Sequence, residues 1–394
     1  MADFVFALLA QITAGSVLHP AHVSRRLACL QDVHAFQIDM FRSLLHGAGR
    51  MPGVASVLLV DPACHQNFGD TMLSEGELSL FASVGWDHGT VVQCNLNQAR
   101  YTRGKCADIL GPHERRPRFA VALLHAGGNW GSLYMQVHAP RMQLLRTLLQ
   151  RNVTVIGMPQ SMFYADAEGA RKDARAIASY TAAYPRAAAR MTLLWREPAH
   201  LLRARALFPS VRNELFVDVA FHLGPLLPRL AQTDVLFACR TDHESTGVCA
   251  RLMGSVAAQR PDLRLLQRDW AQLEQPDKGA AHHAGRCPAR ALMASALEML
   301  TGVHVLVADR LHITVLGYLA LAPRVVLLDQ SYGKVAGVHA LLRNVSATCG
   351  RHAPAAELAA GLGVYDGGGG FASGLSAILA AVDESNATTD QAWI

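Results

Sequence analysis

A six-residue run late in the chain, Asp309 to Thr314, places an acid, a guanidinium and an imidazole close together. The apolar residues 303–308 before it predict a β-strand, and the apolar residues 315–321 after it predict a helix. In open parallel sheets, ligands bind where the carboxyl end of a strand leads into a helix. Arg310 and His312 would lie there beside a helix N-terminus, which favours negative charge. The run therefore predicts a site for a negatively charged small molecule.

Four further polar clusters follow apolar runs in the same manner, in order along the chain. Because the carboxyl ends of parallel strands share one edge of a sheet, such a series indicates a site more strongly than one cluster does. The clusters are Asn67-Phe68-Gly69-Asp70, Gly127-Gly128-Asn129-Trp130-Gly131, Arg196-Glu197-Pro198 and Tyr332-Gly333-Lys334.

Arg196 and Arg310 are the side chains best suited to bind an anion. A guanidinium matches a carboxylate or phosphate with two parallel hydrogen bonds and stays charged in any environment. For Arg196, the alternative is an ion pair with its neighbour Glu197. His312 could supply or accept a proton near neutral pH. Asp309 is expected to orient Arg310 or to cap the following helix.

Backbone roles are expected in the clusters that contain glycine. Gly69 can adopt a positive φ, which would let a ligand approach the backbone. Asp70 is expected to cap a helix that begins at Thr71 or to take part in catalysis. Residues 127–129 would offer backbone N–H groups to an oxygen ligand. Lys334 could neutralise a phosphate or lie solvated on the surface.

Composition excludes several classes of protein. The chain has 394 residues, of which 51% are hydrophobic and 17% charged, so it is not a disordered chain. Its net charge of +5 comes with no block of Lys or Arg, which argues against a nucleic-acid partner. The eight cysteines show no C-x-x-C spacing, so we expect no zinc or iron–sulfur site and interpret most of them as buried thiols. No G-x-G-x-x-G motif is present, so a dinucleotide is not indicated. A G-x-S-x-G motif and a Walker-type loop are absent as well.

Short apolar runs alternate with helical patterns from about residue 54, which predicts an α/β fold with doubly wound parallel sheets. The prolines within residues 221–228 predict a linker, so two Rossmann-like domains are expected to face each other across a cleft. The predicted division is an N-terminal helical extension (1–50), two domains (51–224 and 232–350) and a tail with a closing helix (351–394). The predicted strands are Val57–Val60, Thr90–Cys94, Phe119–His125, Val153–Met158, Met191–Leu194, Asp234–Cys239, Leu263–Leu266, Val303–Ala308 and Arg324–Leu328. The predicted helices include Thr71–Val84, Tyr134–Gln150, Glu168–Ala183, His200–Leu207 and Thr314–Ala322.

Taken in order, the polar clusters resemble the motifs of the polysaccharide pyruvyltransferases. The matching segments are NFGD at 67–70, HAGGNWGS at 125–132, PQS at 159–161, REP at 196–198, DRLH at 309–312 and YGK at 332–334. The resemblance covers roughly residues 54–340, and DRLH followed by LLDQSYGK is its most specific part. The chain departs from the family's pattern at Ala126, Ser132, Ala199, His200 and Ile313.

The family implies a two-lobed fold like that of the GT-B glycosyltransferases. It also implies transfer of pyruvate from phosphoenolpyruvate to two hydroxyls of a sugar, which forms a ketal. His312 and Asp70 would be the catalytic residues. No metal or redox cofactor is expected, because the arginines would supply the charge stabilisation that a metal otherwise gives. The implied donor-binding residues are Arg196, Arg310, Lys334, Asn129, Gly128 and Ser161, and the implied acceptor-binding residues are Asn67, Gln160 and Trp130.

Two other classes of function stay open: a GT-B-type glycosyltransferase that uses a nucleotide sugar, and a non-catalytic carbohydrate-binding relative. Besides phosphoenolpyruvate, the expected partner is a sugar acceptor on a glycan or a lipid-linked oligosaccharide, which allows peripheral membrane association. The apolar residues 4–18 lack the basic start of a signal peptide and are too short to span a bilayer, so they predict a helix on the first domain. The expected compartment is the cytoplasm, with the Golgi lumen as the alternative for a eukaryotic member.

Overall fold

The structure is a computed structural model, and it describes most of the two predicted α/β regions. The predicted helix at 4–18 and Lys334 lie outside the described residues. The described residues are 27, 29–47, 57–63, 67–86, 90–96, 106, 119–224, 233–241, 245–269, 297, 299–300, 303–319, 324–328, 335, 337–338, 375–376, 378–380 and 383.

A parallel sheet forms the first region, and seven of its strands lie among the described residues, with β4 paired to β5 beside the path β2-β1-β3-β5-β6-β7. Its central strands are short apolar runs buried on both faces, as helices packed on a parallel sheet require. The strands are β1 Val57–Val60, β2 Val91–Cys94, β3 Val121–Leu124, β4 Gly127–Gly131, β5 Thr154–Phe163, β6 Met191–Trp195 and β7 Arg212–Leu215. The helices are α1 Leu30–Gly47, α2 Phe68–Ser83, α3 Met135–Gln150, α4 Ala167–Ala183, α5 Pro185–Ala188 and α6 Pro198–Leu207.

The second region contains another parallel sheet, in the order β11-β10-β8-β9 among the described residues. The α/β class and the parallel sheets are therefore confirmed, whereas the cleft between two domains and the domain limits stay predictions. The elements are β8 Thr233–Ala238, α7 Val248–Gln259, β9 Leu265–Gln267, β10 Val303–Ala308, α8 Leu311–Leu319 and β11 Arg324–Leu327.

Buried apolar side chains of the described residues form two clusters, and one of them includes residues of both sheets. Leu124 of β3, Leu236 of β8 and Leu306 of β10 belong to it, as do Ile313 and Leu316 of α8. Helix α8 thus packs its apolar side chains into a core that continues from one sheet to the other. None of the described helices is both long and apolar enough to cross a membrane.

The segment predicted as a linker is partly structured. Val219–Leu223 form a 3₁₀ helix, and Phe221 and His222 within it are buried. Gly76 of α2 lies against this helix so closely that a Cβ there would be 2.3 Å from the Val219 carbonyl oxygen. Residues 219–223 therefore pack under α2 as part of the first region, and the linker after them stays a prediction.

Two histidines pack together where α1 meets the 3₁₀ helix. The ring centroids of His34 and His222 are 4.9 Å apart, and the His222 Nδ1 is 2.9 Å from the Gln37 Oε1. Burial, with the neighbouring His34, lowers the pKa of His222 to about 4, and burial also lowers that of His34. Both imidazoles therefore favour the neutral form in the folded state.

We expect acid to destabilise the fold through these histidines. An unfolded histidine has a pKa near 6.5, whereas His222 in the folded state has a pKa of about 4. Between these pH values the unfolded chain therefore binds more protons than the folded chain, and stability falls as the pH drops. The expected loss of unfolding free energy between pH 7.5 and 5.0 is about 2 kcal/mol, measured by denaturant unfolding. His222→Gln should remove most of this loss, and His46→Gln, on the exposed face of α1, should not. An equal loss in all three proteins would contradict the assignment.

Cysteines of the described regions are paired, so their interpretation as buried thiols is wrong. Cys94 bonds Cys106 across 12 residues, and Cys239 bonds Cys249 across 10. Cys29 is also disulfide-bonded. The cysteine spacing did not predict this pairing, because each disulfide depends on how the chain returns to the end of a strand, β2 at Cys94 and β8 at Cys239.

Reduction is expected to lower stability. A loop of this length, once closed, contributes about 2–3 kcal/mol per disulfide through the unfolded chain. Denaturant unfolding with and without dithiothreitol should show this loss, and the loss caused by dithiothreitol should be about 2–3 kcal/mol smaller in Cys239→Ser/Cys249→Ser, which lacks one disulfide. Free thiols at Cys94 and Cys106 in the unfolded, unreduced protein would contradict the pairing.

Candidate active site

Arg196 lies at the carboxyl end of β6, completely buried and surrounded by hydrogen-bonding groups. Its Nε donates to the Ser161 Oγ at 2.7 Å, and its NH1 donates to the Asp218 Oδ2 at 2.7 Å. The NH1 is also 3.3 Å from the His312 Nε2. The ion pair with Glu197 considered from the sequence exists as well, at 3.4 Å, but Asp218 is the closer carboxylate. Arg196 thus joins the first sheet to the DRLH segment.

Asp218 is a residue that the sequence did not reveal. It precedes the 3₁₀ helix, is fully buried, and accepts from the Ala220 backbone N–H at 3.0 Å. Burial alone would raise the pKa of Asp218, but Arg196 and His312 outweigh it and hold the pKa well below its usual range. Asp218 therefore stays ionised between a guanidinium and an imidazole, with the His312 Nε2 at 3.5 Å from its Oδ2.

His312 lies in the first turn of α8, which begins at Leu311 rather than at the predicted Thr314. Its ring lies against Gly69 in the first turn of α2, where a Cβ would be 2.5 Å from the His312 Nδ1. Gly69 is helical and does not use the positive φ that glycine allows. Its role is to leave room for the imidazole.

Helix α2 begins one turn earlier than predicted, and Asn67, not Asp70, caps it. The Asn67 Oδ1 accepts from the Gly69 N–H at 3.1 Å, and its Nδ2 donates to the Asp70 Oδ2 at 2.9 Å. Asp70 lies one residue after Gly69 and near Gly127, where a Cβ would be 3.8 Å from its Oδ1. The two residues predicted to be catalytic, Asp70 and His312, therefore belong to one region of the molecule.

Gly128 and Asn129 lie within strand β4, which pairs with β5. The glycine backbone is nevertheless unusual, since φ is +126° at Gly127 and +104° at Gly131. The Asn129 Nδ2 would lie 3.8 Å from a Cβ at Gly127, beside Asp70. Asn129 is thus close to the α2 N-terminus.

Ser161 is engaged on both sides by charged neighbours. Its hydroxyl donates to the Glu197 Oε1 at 2.5 Å while it accepts from Arg196. The Glu197 Oε2 lies 2.8 Å from the His200 Nδ1. His200, one of the departures from the family pattern, therefore belongs to the hydrogen-bond network that orients Arg196.

Arg310 lies just after β10, at the carboxyl end of the strands of the second sheet. Its NH2 donates to the Asp269 Oδ1 at 3.0 Å, and the Asp269 Oδ2 accepts from the Thr241 N–H at 2.9 Å. The Asp309 Oδ1 accepts from the Arg240 backbone N–H at 2.9 Å. Burial raises the pKa of Asp309 to about 6, although the hydrogen bond from Arg240 and the positive charges of Arg240 and Arg310 act to lower it.

Gln160 and Trp130 are fully buried. The Gln160 Nε2 donates to the His125 and Met158 carbonyl oxygens at 2.6 and 2.9 Å, which fixes β5 against β3. Trp130 packs edge-on against Trp195, with ring centroids 5.6 Å apart. The contacts described give both residues structural roles, and their predicted contact with an acceptor stays untested.

Chemically, the Arg196–His312 junction combines a guanidinium, an imidazole and an ionised carboxylate. A guanidinium held by Ser161 and Asp218 can bind an anion without reorganising. The adjacent imidazole can transfer a proton to a molecule bound there. The described residues contain no group of three or more His, Cys, Asp or Glu in a metal-binding arrangement.

Comparison with known proteins gives two curated relatives, and no family model matches the chain. Pyruvyl transferase 1 of Schizosaccharomyces pombe is 26% identical over 302 residues, which cover 73% of this chain and 69% of that protein. Putative pyruvyl transferase EpsO of Bacillus subtilis is 23% identical over 196 residues, 50% of this chain and 54% of that protein. Both confirm the resemblance drawn from the motifs. A crystal structure of an uncharacterised Klebsiella pneumoniae protein aligns with a TM-score of 0.48 and 15% identity, over 80% of this chain and 98% of that one.

Proposed function

Because this chain resembles the polysaccharide pyruvyltransferases and its two relatives carry pyruvyl transfer in their names, we propose that it transfers pyruvate from phosphoenolpyruvate to two hydroxyls of a sugar. The products would be a ketal and inorganic phosphate. The observation that supports this best is the contact between Arg196 and His312, at 3.3 Å. It joins an anion ligand to a proton donor, and the donor substrate requires both.

In the proposed reaction, His312 protonates the methylene carbon of phosphoenolpyruvate, and the neighbouring carbon becomes electrophilic. The first sugar hydroxyl adds to that carbon and gives its proton to a carboxylate, for which Asp70 is the candidate. The C–O bond to phosphate then breaks, phosphate leaves, and the second hydroxyl closes the ketal. Of the two hydroxyl protons, one replaces the proton lost by His312 and the other leaves with phosphate, so atoms and charge balance.

Arg196 would bind an anionic group of the donor, and Arg310 would bind the other, as the charges on phosphoenolpyruvate require. Asp218 and Ser161 would keep the Arg196 guanidinium in place, since each accepts one of its N–H groups at 2.7 Å. Asp218 would also stabilise the protonated His312 before it transfers its proton. Preorganised charges of this kind contribute more inside a protein than in water.

Thermal stabilisation by phosphoenolpyruvate tests the proposal, because a ligand that binds only the folded state raises Tm. The wild type is expected to shift by several degrees at millimolar phosphoenolpyruvate, whereas Arg196→Lys and Arg310→Lys should not, because an ammonium cannot form the paired hydrogen bonds. Arg175→Lys, which makes the same change on the exposed face of α4, is the control. Stabilisation by a nucleotide sugar, with none by phosphoenolpyruvate, would contradict the proposal and favour a glycosyltransferase.

The acceptor would be a glycan or a lipid-linked oligosaccharide. Disulfides persist mainly in oxidising compartments, and two of them lie among the described residues. Of the two compartments considered, they favour the Golgi lumen over the cytoplasm.

A further inference from the structure

A second polar cluster lies at the carboxyl edge of the first sheet, between β1 and β3. There the sheet order runs β2-β1-β3, so the chain passes from β1 to β2 on one side and then crosses back to β3 on the other side of β1. In open α/β sheets, such a switch point is where ligands bind. The residues of the cluster, which we call the switch-point cluster, are Asp61, Glu77, His125 and Arg141.

Arg141 is the unusual member of this cluster, since only 1% of its side chain is exposed. Its NH1 donates to the Gln160 Oε1 at 3.3 Å, and its NH2 lies 3.9 Å from the Asp61 Oδ2, beyond hydrogen-bond distance. Its Nε and NH2 find no hydrogen-bond partner among the residues that the structure describes. Buried donors are almost always bonded, so two N–H-bearing nitrogens of Arg141 are left to bind a further polar group on the Asp61 side.

Asp61 is the cluster carboxylate that a ligand can reach. Its side chain is 14% exposed, whereas Glu77 is fully buried and already accepts from His125 and the Ala126 N–H. Asp61 also has a φ of 62°, which non-glycine residues rarely adopt. Such backbone strain is concentrated at ligand sites.

The switch-point cluster connects to the Arg196–His312 junction through α2. Besides Asp61 and Glu77, Asp70 is the third carboxylate whose charge acts on Arg141. Asp70 directly follows Gly69, which lies against the His312 ring. A molecule bound at Asp61 would therefore have Asp70 and the donor site beside it.

We propose that Asp61, beside the Arg141 guanidinium, binds the sugar acceptor through two neighbouring hydroxyls. This inference rests on the proposed function and adds the acceptor site to it. The ligand class is a sugar with a free vicinal or 1,3-diol, because one carboxylate can accept from both hydroxyls and a ketal requires that pair. Asp61 positions the diol, and no bond is made or broken at this residue.

Asp61→Asn tests the inference with little effect on the backbone, because asparagine tolerates a positive φ and its Oδ1 can still accept from the Leu96 N–H, now 3.3 Å away. Phosphate release from phosphoenolpyruvate is measured with methyl glycosides of glucose, galactose and mannose. We expect KM for the accepted glycoside to rise about 10- to 100-fold, as loss of hydrogen bonds to a charged group implies. The Tm shift by phosphoenolpyruvate should be unchanged.

Asn152→Asp is the matched control, because it is the reverse of the Asp61→Asn substitution. Asn152 has a φ of 59° and lies on the surface beside Arg190. An unchanged acceptor KM in Asp61→Asn would overturn the acceptor site, as would loss of the phosphoenolpyruvate shift in that variant. A wild type that releases no phosphate with any of the three glycosides would overturn it too. Failure of the wild type to be stabilised by phosphoenolpyruvate would instead overturn the proposed function.

Discussion

His312→Gln is expected to lower kcat about 10²- to 10⁴-fold, the usual contribution of a positioned proton donor. Glutamine is similar in length to histidine and can still form hydrogen bonds, but it cannot donate a proton to the substrate. Arg196 and its partners Ser161 and Asp218 are unchanged in this variant. Binding of phosphoenolpyruvate, followed as the Tm shift, should therefore persist. Phosphate release under saturating donor and acceptor is the measurement that separates the two effects.

His304→Gln is the control for this change, because His304 lies on β10, in the strand that leads into the same segment. It should retain full activity. If His312→Gln also kept most of its activity, the proton would come from another group and the proposed role of His312 would be wrong.

Gly69→Ala is expected to reduce activity about 100-fold without loss of stability. The new Cβ would lie 2.5 Å from the His312 Nδ1 and 3.0 Å from the His312 Cβ and Cγ, so the imidazole must move. A shift of about 1 Å in a catalytic group can cost two orders of magnitude in rate. Alanine is the better helix former by up to about 1 kcal/mol, so α2 itself should not suffer.

The control for helix propensity is Gly254→Ala in α7, where a Cβ would meet nothing within 4 Å. This variant should gain stability and keep its activity, measured by denaturant unfolding and phosphate release. Gly69→Ala with normal activity would mean that the imidazole has another position in the active enzyme. A large loss of stability in Gly69→Ala would mean that the contact supports the fold rather than the reaction.

Short apolar runs identified most of the strands of the fold, because buried parallel strands carry that pattern alone. Strand β7 was missed since its sequence, Arg-Asn-Glu-Leu, is mainly polar. Its Asn213 is nevertheless buried and accepts from the Trp195 Nε1 at 2.9 Å. Without β7, the end of that strand was not recognised, and Asp218 after it could not be identified as part of the site.

Residue types at the site were easier to predict than their partners. Arg196 and His312 were chosen from their chemistry and their positions after strands, and the structure brings them together. Gln160 was chosen by resemblance, and its amide is bonded to backbone carbonyls inside the core. Which polar side chain faces a ligand and which one ties strands together depends on tertiary packing, and neither type nor spacing encodes it.

The Arg196–His312 contact also bears on when the protein becomes competent during synthesis. Its residues are 116 positions apart, and contacts between distant segments form late because a long loop must close first. The pair of Arg196 and Asp218 is much more local, separated by 22 positions. A nascent chain can therefore complete its first sheet with Arg196 and Asp218 already paired before His312 has been synthesised. Any proton transfer by His312 would have to wait until β10 and α8 are in place.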